Sequence, residues 1–291
     1  MLENHSEINE LRDGDFTNRK RLFIGGIQAG IEIFNLAILP KLLYNADTWV
    51  EMNDYTTKRL ERLQNILMRC LLGVPDSTPL AAMNWDCGML SMDYRVKQKK
   101  LMFLHYLVHM DDETLAKQVF NAQKDLNLPG FLSEGRNLLG YFDLPNLVDN
   151  ELDISKTQWR NQVNKAIKIK YEEELKGIIS KSTKLKDGPM RGEQFEENQY
   201  LKEMSMMDAR TLFRIRSQTT TVQMNQRSDK SHAKNLWKCL ECGNIDSQSH
   251  IVWCPFFSEL REGKSLDNND DLVKYFQQVF KIREERRNEL E

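Results

Sequence analysis

Three cysteines and one histidine near the C-terminal end most constrain how this chain can fold. Cys239, Cys242, His250 and Cys254 have the spacing C-x2-C-x7-H-x3-C. Two residues between the first two thiols let one tight turn direct both sulfurs to the same point, and Gly243 supplies a permissive backbone after it. His250 and Cys254 are four residues apart, so one helical turn would place them on the same face. The pattern predicts a closed, structural Zn²⁺ site with these four ligands, and folding of the module should depend on the metal.

The alternative is that these cysteines are simply small buried apolar residues, as free cysteines often are. The Cys-x-x-Cys-Gly turn and the helical spacing of the second pair favour metal ligands. The chain has five cysteines, and the other two, Cys70 and Cys87, stand apart in apolar surroundings. This odd number is not a disulfide framework, so it indicates a reducing intracellular compartment, cytoplasmic or nuclear.

Length and composition are those of a globular protein. A chain of 291 residues with 40% hydrophobic and 29% charged residues can bury a core and is long enough for about two domains. The formal net charge of −2 excludes a polycation, so any nucleic-acid binding must come from local basic patches. Residues 1–20 are polar and lack the apolar core of a signal peptide, and no apolar run is long enough to span a membrane.

Apolar residues recur mostly at helical spacing, which predicts a mainly α-helical fold. Four segments are expected: a polar leader at 1–20, a helical region at 21–150, a basic helix and linker at 151–198, and a C-terminal domain with the zinc module at 199–291. The first helical pattern should end at Pro40, because proline interrupts a helix. Thr219 to Val222 could form a short strand.

Several helix ends and stripes can be assigned from local patterns. Ser155 and Gln158 form a capping box at the start of a long helix. Asp112 should cap a helix whose apolar stripe is Leu115, Val119, Ala122 and Leu126. Asp270 and Asp271 should cap the last helix, and the chain after Ile282 should be a solvated, charged tail.

Two pairs of residues could bind metal ions or take part in catalysis, but a structural role is favoured for each pair. His105 and His109 have the spacing of metal ligands on a helix, yet no thiol or carboxylate joins them at ligand spacing. Asp111 and Asp112 are the nearest match to the paired aspartates of a polymerase. Such aspartates belong on a β-hairpin, where they hold two metal ions, whereas helix-forming residues surround these two. No catalytic residue is therefore predicted.

Local basic patches are the best candidates for contact with a phosphate backbone. Between Lys156 and Lys186 there are nine basic residues and three acidic ones. An ordinary solvated helix face would look similar, and Arg210 and Arg214 could also pair with Asp208 or Glu203. Most aromatic residues near the zinc module should form its core, leaving one to stack on an unpaired base. The candidate nucleic-acid-binding residues are Lys58, Arg59, Arg62, Lys97, Lys99, Lys100, Lys165, Lys168, Lys170, Arg210, Arg214, Arg216 and Trp253.

The order of several motifs resembles one known family. The runs Gly26 to Glu32, Ile38 to Trp49 and Leu60 to Leu72 resemble the region after the polymerase active site in non-LTR retrotransposon reverse transcriptases. Asp208-Ala209-Arg210, Phe213-Arg214 and the Cys/His knuckle resemble the C-terminal part of the same polyproteins. The similarity extends over nearly the whole chain from about Arg19.

The resemblance implies a helical thumb-like region, connector helices and a zinc knuckle that helps to hold template RNA or target DNA. The fingers and palm, with their Tyr-x-Asp-Asp turn, have no counterpart in this sequence. The resulting hypothesis is a non-catalytic C-terminal piece of a retroelement RNA-directed DNA polymerase, which binds RNA or single-stranded or target DNA through basic helices and a structural Zn²⁺ knuckle. The alternative is a zinc-stabilised helical protein-interaction module that does not bind nucleic acid.

Overall fold

The computed structural model describes residues 26–49, 54–150, 152–186, 190, 194–220 and 238–290, without the side chains of residues 287, 289 and 290. The regular structure of these residues is helical, and their β pairing is limited to two isolated bridges, Cys87 with Glu197 and Lys238 with Ile245. The predicted mainly α fold is confirmed. The polar leader at 1–20 and the second half of the predicted strand, at 221–222, lie outside the described residues.

The chain divides into two compact units, neither of which is continuous in sequence. The metal-site unit comprises Met1–Ile33, Leu67–Ser77 and Gln199–Glu291. The helical unit comprises Phe34–Ile66 and Thr78–Asn198. The segments expected at 21–150 and 151–198 therefore do not correspond to separate units, because the basic helix belongs with the helices that precede it.

The helical unit is built mainly from α-helices around a long central pair. Its described elements are a π-helical turn at Phe34–Ile38, α2 (Leu39–Leu42), a 3₁₀ turn at Ala46–Thr48, the first part of α3 (Asp54–Leu72), α4 (Leu80–Asp86), α5 (Met92–Val108), α6 (Leu115–Asp125), α7 (Phe131–Tyr141) and α8 (Lys156–Lys181). Helices α5 and α8 pack against each other, and α7 packs on α5.

Residues about four apart on α8 form the centre of this unit. Trp159, Val163, Ile167 and Ile179 are buried along one side of the helix. The indole nitrogen of Trp159 donates to the Leu101 carbonyl at 2.9 Å, so the largest buried side chain of α8 has its polar atom satisfied. The basic helix is therefore held by an apolar face, and its lysines lie on the remaining surface.

The metal-site unit contains shorter helices. They are α1 (Gly26–Ile33), the last part of α3, α9 (Tyr200–Glu203), α10 (Met206–Arg216), α11 (Gln248–Trp253), a 3₁₀ turn at Pro255–Phe257, α12 (Ser258–Arg261) and α13 (Asn269–Leu290). Gly30 lets α1 approach α3 closely, because a Cβ atom at this position would collide with the side chain of Leu71. The apolar core of the C-terminal part joins Ile251, Cys254 and Phe257 to Tyr275, Phe276 and Val279 of α13.

Four local predictions are wrong, and tertiary contacts or competing caps explain them. Pro40 does not end the first helical region, because a proline is tolerated in the first turn of α2. Helix α6 is capped by Thr114, whose hydroxyl accepts from the Lys117 N–H at 3.3 Å, and not by Asp112. Helix α13 is capped by the Asn268 side chain, which accepts from the N–H groups of Asp270 and Asp271. It also runs to Leu290, so the chain after Ile282 is helical.

The apolar stripe of α6 faces solvent. Leu115, Val119 and Leu126 are 77%, 51% and 68% exposed, whereas Phe120 is buried at 4%. The helix is thus attached to the unit through Phe120, and its predicted stripe lies on the opposite side. An amphipathic pattern alone does not tell which face of a helix meets the core of the same chain.

Candidate metal centre

The structure brings the four predicted ligands together. One ligand atom each from Cys239, Cys242, His250 and Cys254 lies within 4.8 Å of all the others. The Cys242 sulfur is 3.2 Å from Nε2 of His250 and 3.7 Å from the Cys254 sulfur. Cys239 and Cys254 are buried, and the other two ligands are half-buried. Three sulfurs and one imidazole nitrogen in this arrangement could hold a metal ion.

The first half of the centre is a tight turn. Gly243 has φ +73°, and its N–H donates to the Cys239 carbonyl at 2.9 Å. The Cys239 N–H in turn donates to the Asn244 carbonyl at 2.6 Å. This left-handed position favours glycine, and it curves the backbone so that both thiols point to the same side.

The second half is the short helix α11. Ser247 caps it, because its hydroxyl accepts from the His250 N–H at 3.1 Å. The helix ends at Trp253, so His250 is one helical turn before Cys254. The spacing of the second ligand pair thus has the helical origin that the sequence predicts.

The thiols differ in their electrostatic surroundings. Burial raises the pKa of Cys254 to about 11, against the opposing effect of the Phe256 N–H. At Cys242 burial also favours the neutral thiol, but the Asn244 N–H and the neighbouring thiols together lower its pKa. Cys242 is therefore the more readily ionised of these two ligands. Since metals bind thiolates, these thiols would have to lose their protons to act as ligands.

Two acidic residues in the ligand loops make ion pairs with the C-terminal helix. Arg286 of α13 lies 2.6 Å from a carboxylate oxygen of Glu241, and Arg283 lies 2.6 Å from a carboxylate oxygen of Asp246. The sequence interpretation assigned Arg283 and Arg286 to a solvated tail and so missed these contacts. Their spacing of three residues on a helical pattern was the available signal, because it places both on one face.

Further hydrogen bonds attach the centre to its surroundings. The Tyr275 hydroxyl donates to the Ile251 carbonyl at 2.7 Å, and Arg261 donates to the Cys254 carbonyl at 2.9 Å. The Tyr275 hydroxyl satisfies the Ile251 carbonyl near the end of α11, where the residue four positions on is Pro255, which has no N–H to donate. Arg261 adds to the Phe257 N–H, which also donates to the Cys254 carbonyl at 3.2 Å. The ligand helix is therefore fixed from both α12 and α13.

Trp253 lies beside the centre with its ring in solvent. It is 75% exposed, although its chain neighbour Cys254 is fully buried. It lines a cavity of about 600 Å³ together with Ser249, Val252 and Leu266. Of the aromatic residues near the ligands, Phe257 is buried in the core, and Trp237 lies outside the described residues. An exposed indole remains available for stacking on a flat partner.

The predicted basic residues of the helical unit have different environments. Lys58, Arg59, Arg62, Lys165 and Lys168 are exposed, whereas Lys97, Lys99 and Lys170 are half-buried. Lys100 is only 3% exposed and forms an ion pair with Glu134, so its charge is already matched inside the unit.

Two of these lysines meet at one aromatic ring. The ammonium groups of Lys97 and Lys170 lie 5.3 Å and 5.6 Å from the centre of the Tyr141 ring, which is 45% exposed. Lys165 and Lys170 also line a neighbouring groove of about 340 Å³, whose floor includes Phe142 and Ile169. We call Lys97, Tyr141, Lys165, Lys168 and Lys170 the basic patch. Tyr141 was not predicted from the sequence, because its two lysine partners come from two other helices, α5 and α8.

The three predicted arginines of the metal-site unit point inward. Arg210 donates to the Leu71 and Cys70 carbonyls at 2.9 Å and 3.0 Å, and Arg214 donates to the Gly73 carbonyl at 3.1 Å. They thus cap the C-terminal end of α3, where helix carbonyls lack partners and a positive charge is favourable. Burial lowers the pKa of both. Arg216 is 9% exposed and lies over the Tyr200 ring.

The two other predicted clusters have structural surroundings. The rings of His105 and His109 are stacked with centres 4.1 Å apart, and His105 Nε2 is 2.7 Å from the Ile154 carbonyl. Asp111 lies in a turn, where its carboxylate accepts from the Glu113 N–H at 2.9 Å. Asp112 is exposed.

Comparison of the chain with family models, with curated proteins and with solved structures gives no match. In the part of the chain that the structure describes, no helix combines the length and the apolar character that crossing a bilayer requires.

Proposed function

We propose that the metal of this centre is Zn²⁺ and that its role is structural. In a tetrahedral site with Zn–S bonds of about 2.3 Å, two sulfurs lie about 3.8 Å apart. The Cys242 and Cys254 sulfurs are 3.7 Å apart, close to this separation. Three thiolates and one imidazole complete a four-coordinate shell, so no position would remain for a substrate. Soft sulfur ligands favour Zn²⁺ over Mg²⁺ or Ca²⁺.

We further propose that the chain binds RNA or single-stranded or target DNA without catalysing a reaction. The observation that carries this proposal is the basic patch, where Lys97 and Lys170 converge on the half-exposed ring of Tyr141. Clustered lysines neutralise phosphates, and an adjacent aromatic ring can contact bases or sugars. Exposed Trp253 offers a second aromatic contact. Arg210, Arg214 and Lys100 do not enter the proposal, because the two arginines donate to backbone carbonyls and Lys100 is buried in an ion pair with Glu134.

We also propose that the chain is a non-catalytic C-terminal piece of a retroelement reverse transcriptase, and for the family this proposal rests on the resemblance of its motifs alone. Asp111 and Asp112 support the non-catalytic part, because both lie in the connection between α5 and α6 and not on paired strands. We therefore expect no nucleotide incorporation by this chain.

The test is a salt series with labelled single-stranded RNA and DNA. We expect the affinity to fall with rising salt, with a slope of about −0.7 per phosphate neutralised on single strands. Replacing Lys165, Lys168 and Lys170 by Gln should make the slope less negative by as much as about 2, since three contacts are removed. The matched control replaces Lys124, Lys274 and Lys281, which are exposed elsewhere on the chain, by Gln and changes the net charge equally.

The outcomes separate the proposal from general electrostatics. A loss of affinity confined to the basic-patch variant would support it. Equal losses in both triple variants would show that net charge alone is responsible and would overturn the assignment of this site. No binding of either nucleic acid at low salt would overturn nucleic-acid binding altogether.

A second candidate function is a zinc-stabilised protein-interaction module. The solvent-facing stripe of α6, with Leu115, Val119 and Leu126, is the observation that favours it. A continuous apolar helix face in solvent commonly marks a protein interface. This function predicts a stoichiometric protein partner that is lost on Leu115→Glu together with Leu126→Glu, and no salt-dependent affinity for nucleic acid.

A further inference from the structure

Two carboxylates in the ligand loops are removed from solvent. The side chain of Glu241 is 1% exposed and that of Asp246 is 0% exposed. An ionised carboxylate at such a depth is costly unless an opposite charge and hydrogen-bond donors match it. Each of the two has an arginine of α13 at 2.6 Å. The loops and the helix therefore depend on each other for charge balance.

Each of the two acidic residues lies between two successive ligands in the sequence. Glu241 lies between Cys239 and Cys242, and Asp246 lies between Cys242 and His250. Two of the three connections between successive ligands are thus joined to the same helix. Displacement of α13 would leave a buried negative charge beside each half of the centre.

The arginines continue the packed face of α13. Phe276, Val279, Arg283 and Arg286 follow one another at intervals of three or four residues, and the first two are fully buried in the core. Arg283 is 10% exposed, while Arg286 is 47% exposed and lies over the Phe256 ring at 4.6 Å. Phe256 is two residues after the ligand Cys254. The helix thus contacts the chain both between the ligands and just after the last of them.

We infer that Arg283 and Arg286 are positioning residues of the metal site, and that docking of the last turns of α13 is coupled to metal binding. The arginines hold the ligand loops in the geometry that the ion requires, so the loops lose less freedom when it binds. By reciprocity, the ion must stabilise the docked helix by the same factor. This inference rests on the proposed Zn²⁺ binding.

The test measures Zn²⁺ affinity of the full chain by competition with a chromophoric chelator. We expect Arg283→Met with Arg286→Met to weaken binding about tenfold or more, the range seen when groups that orient metal ligands are removed. The matched control is Lys281→Met on the same helix, since Lys281 is 78% exposed and pairs with exposed Glu285 at 3.9 Å. Its affinity should stay within about twofold of the original, because exposed pairs contribute little.

A double-mutant cycle tells positioning from general destabilisation. If Arg283 acts through Asp246, the loss caused by Arg283→Met should largely disappear when Asp246→Asn is already present, because the two residues share one interaction. Additive losses would show that Arg283 only stabilises the helix and would overturn its positioning role. If Arg283→Met prevents folding, the isosteric variants Glu241→Gln and Asp246→Asn test the same two ion pairs with little change of shape.

The coupling between metal binding and helix docking can also be measured on the unchanged chain, without any substitution. Addition of Zn²⁺ to the metal-free chain should slow amide hydrogen exchange in the last turns of α13, between residues 280 and 290. Unchanged exchange there, with Zn²⁺ bound, would overturn the inference and leave the metal proposal intact. Unchanged Zn²⁺ affinity in a folded variant with both Arg283→Met and Arg286→Met would likewise overturn the inference and leave the metal proposal intact. A chain that binds no stoichiometric Zn²⁺ would overturn both.

Discussion

Different interactions stabilise the interior of the helical unit and the interior of the C-terminal part of the metal-site unit. In the helical unit, helices of 17 and 26 residues bury large apolar side chains such as Trp159, Leu101 and Leu104 against each other. Around the metal centre, α11 has six residues and α12 has four. Helices this short are not stable by themselves in water. Apolar burial is enough for the first region. The second has buried ion pairs and a supporting helix and, if the proposal above is correct, a bound Zn²⁺ ion.

The same contrast holds for the positively charged residues. In the helical unit Lys165 and Lys168 project into solvent, where they are available to a partner. In the metal-site unit Arg210, Arg214 and Arg283 bind carbonyls or a buried carboxylate. Arginine suits this inward role because its planar group donates several hydrogen bonds and keeps its charge when buried. A basic residue in a sequence is therefore weak evidence for a nucleic-acid contact until its neighbours are known.

The largest expected effect is the loss of the metal. Chelation, or Cys242→Ser, should abolish amide protection between residues 238 and 262 while leaving α5 and α8 protected. Structural Zn²⁺ sites contribute about 10–16 kcal/mol of binding free energy in small modules, far more than the short helices can replace. Hydrogen exchange followed by mass spectrometry would measure both regions in one experiment.

A matched cysteine provides the control for this prediction. Cys70→Ser should leave one equivalent of Zn²⁺ bound, because Cys70 is outside the ligand set. Protection of residues 238–262 that is unchanged by chelation would mean that packing alone holds the region, and the contrast between the two regions would then disappear.

The second largest effect concerns the apolar core of the helical unit. Trp159→Ala should destabilise this unit by about 3–5 kcal/mol, the range for truncating a buried aromatic side chain, without changing the amount of Zn²⁺ bound. Chemical denaturation followed by circular dichroism, together with metal analysis, would measure both quantities.

Trp159→Phe is the graded control. It keeps an aromatic ring and loses the hydrogen bond to the Leu101 carbonyl, so it should cost less than the alanine variant. Simultaneous loss of Zn²⁺ in the alanine variant would show that the two regions do not respond separately.

Local features of the chain were predictable where neighbouring residues alone decide them. The capping box of Ser155 and Gln158 forms as expected, with the Gln158 N–H at 3.3 Å from the Ser155 hydroxyl. The four ligands come together because a tight turn and one helical turn are both short-range structures. These features need no information from the rest of the fold.

Other features depend on contacts between residues far apart in sequence. Thr114 and Asp112 are both good helix caps, and the sequence does not tell which one the backbone will use. Helix α6 is amphipathic, but its apolar stripe faces solvent, and Phe120 on the other side of the helix packs against the unit. The pairs Arg283 with Asp246 and Arg210 with Leu71 join distant segments. Helical spacing can place such arginines on one face, but it does not identify their partners.

The smallest expected effect is a pH dependence within the helical unit. Burial lowers the pKa of His105, although the hydrogen bond to the Ile154 carbonyl acts in the opposite direction and nearby His109 and Lys156 add to the lowering. The unfolded chain, with an ordinary histidine pKa of about 6.5, therefore binds more protons than the folded chain below that pH. The free energy of unfolding should then decrease as the pH falls below about 6.5. His105→Gln should reduce this decrease, and His109→Gln, at an exposed position, should change it less. Denaturation curves at pH 7.5 and pH 5.5 for the three proteins would measure the difference, and an equal decrease in all three would show that His105 is not the titrating group.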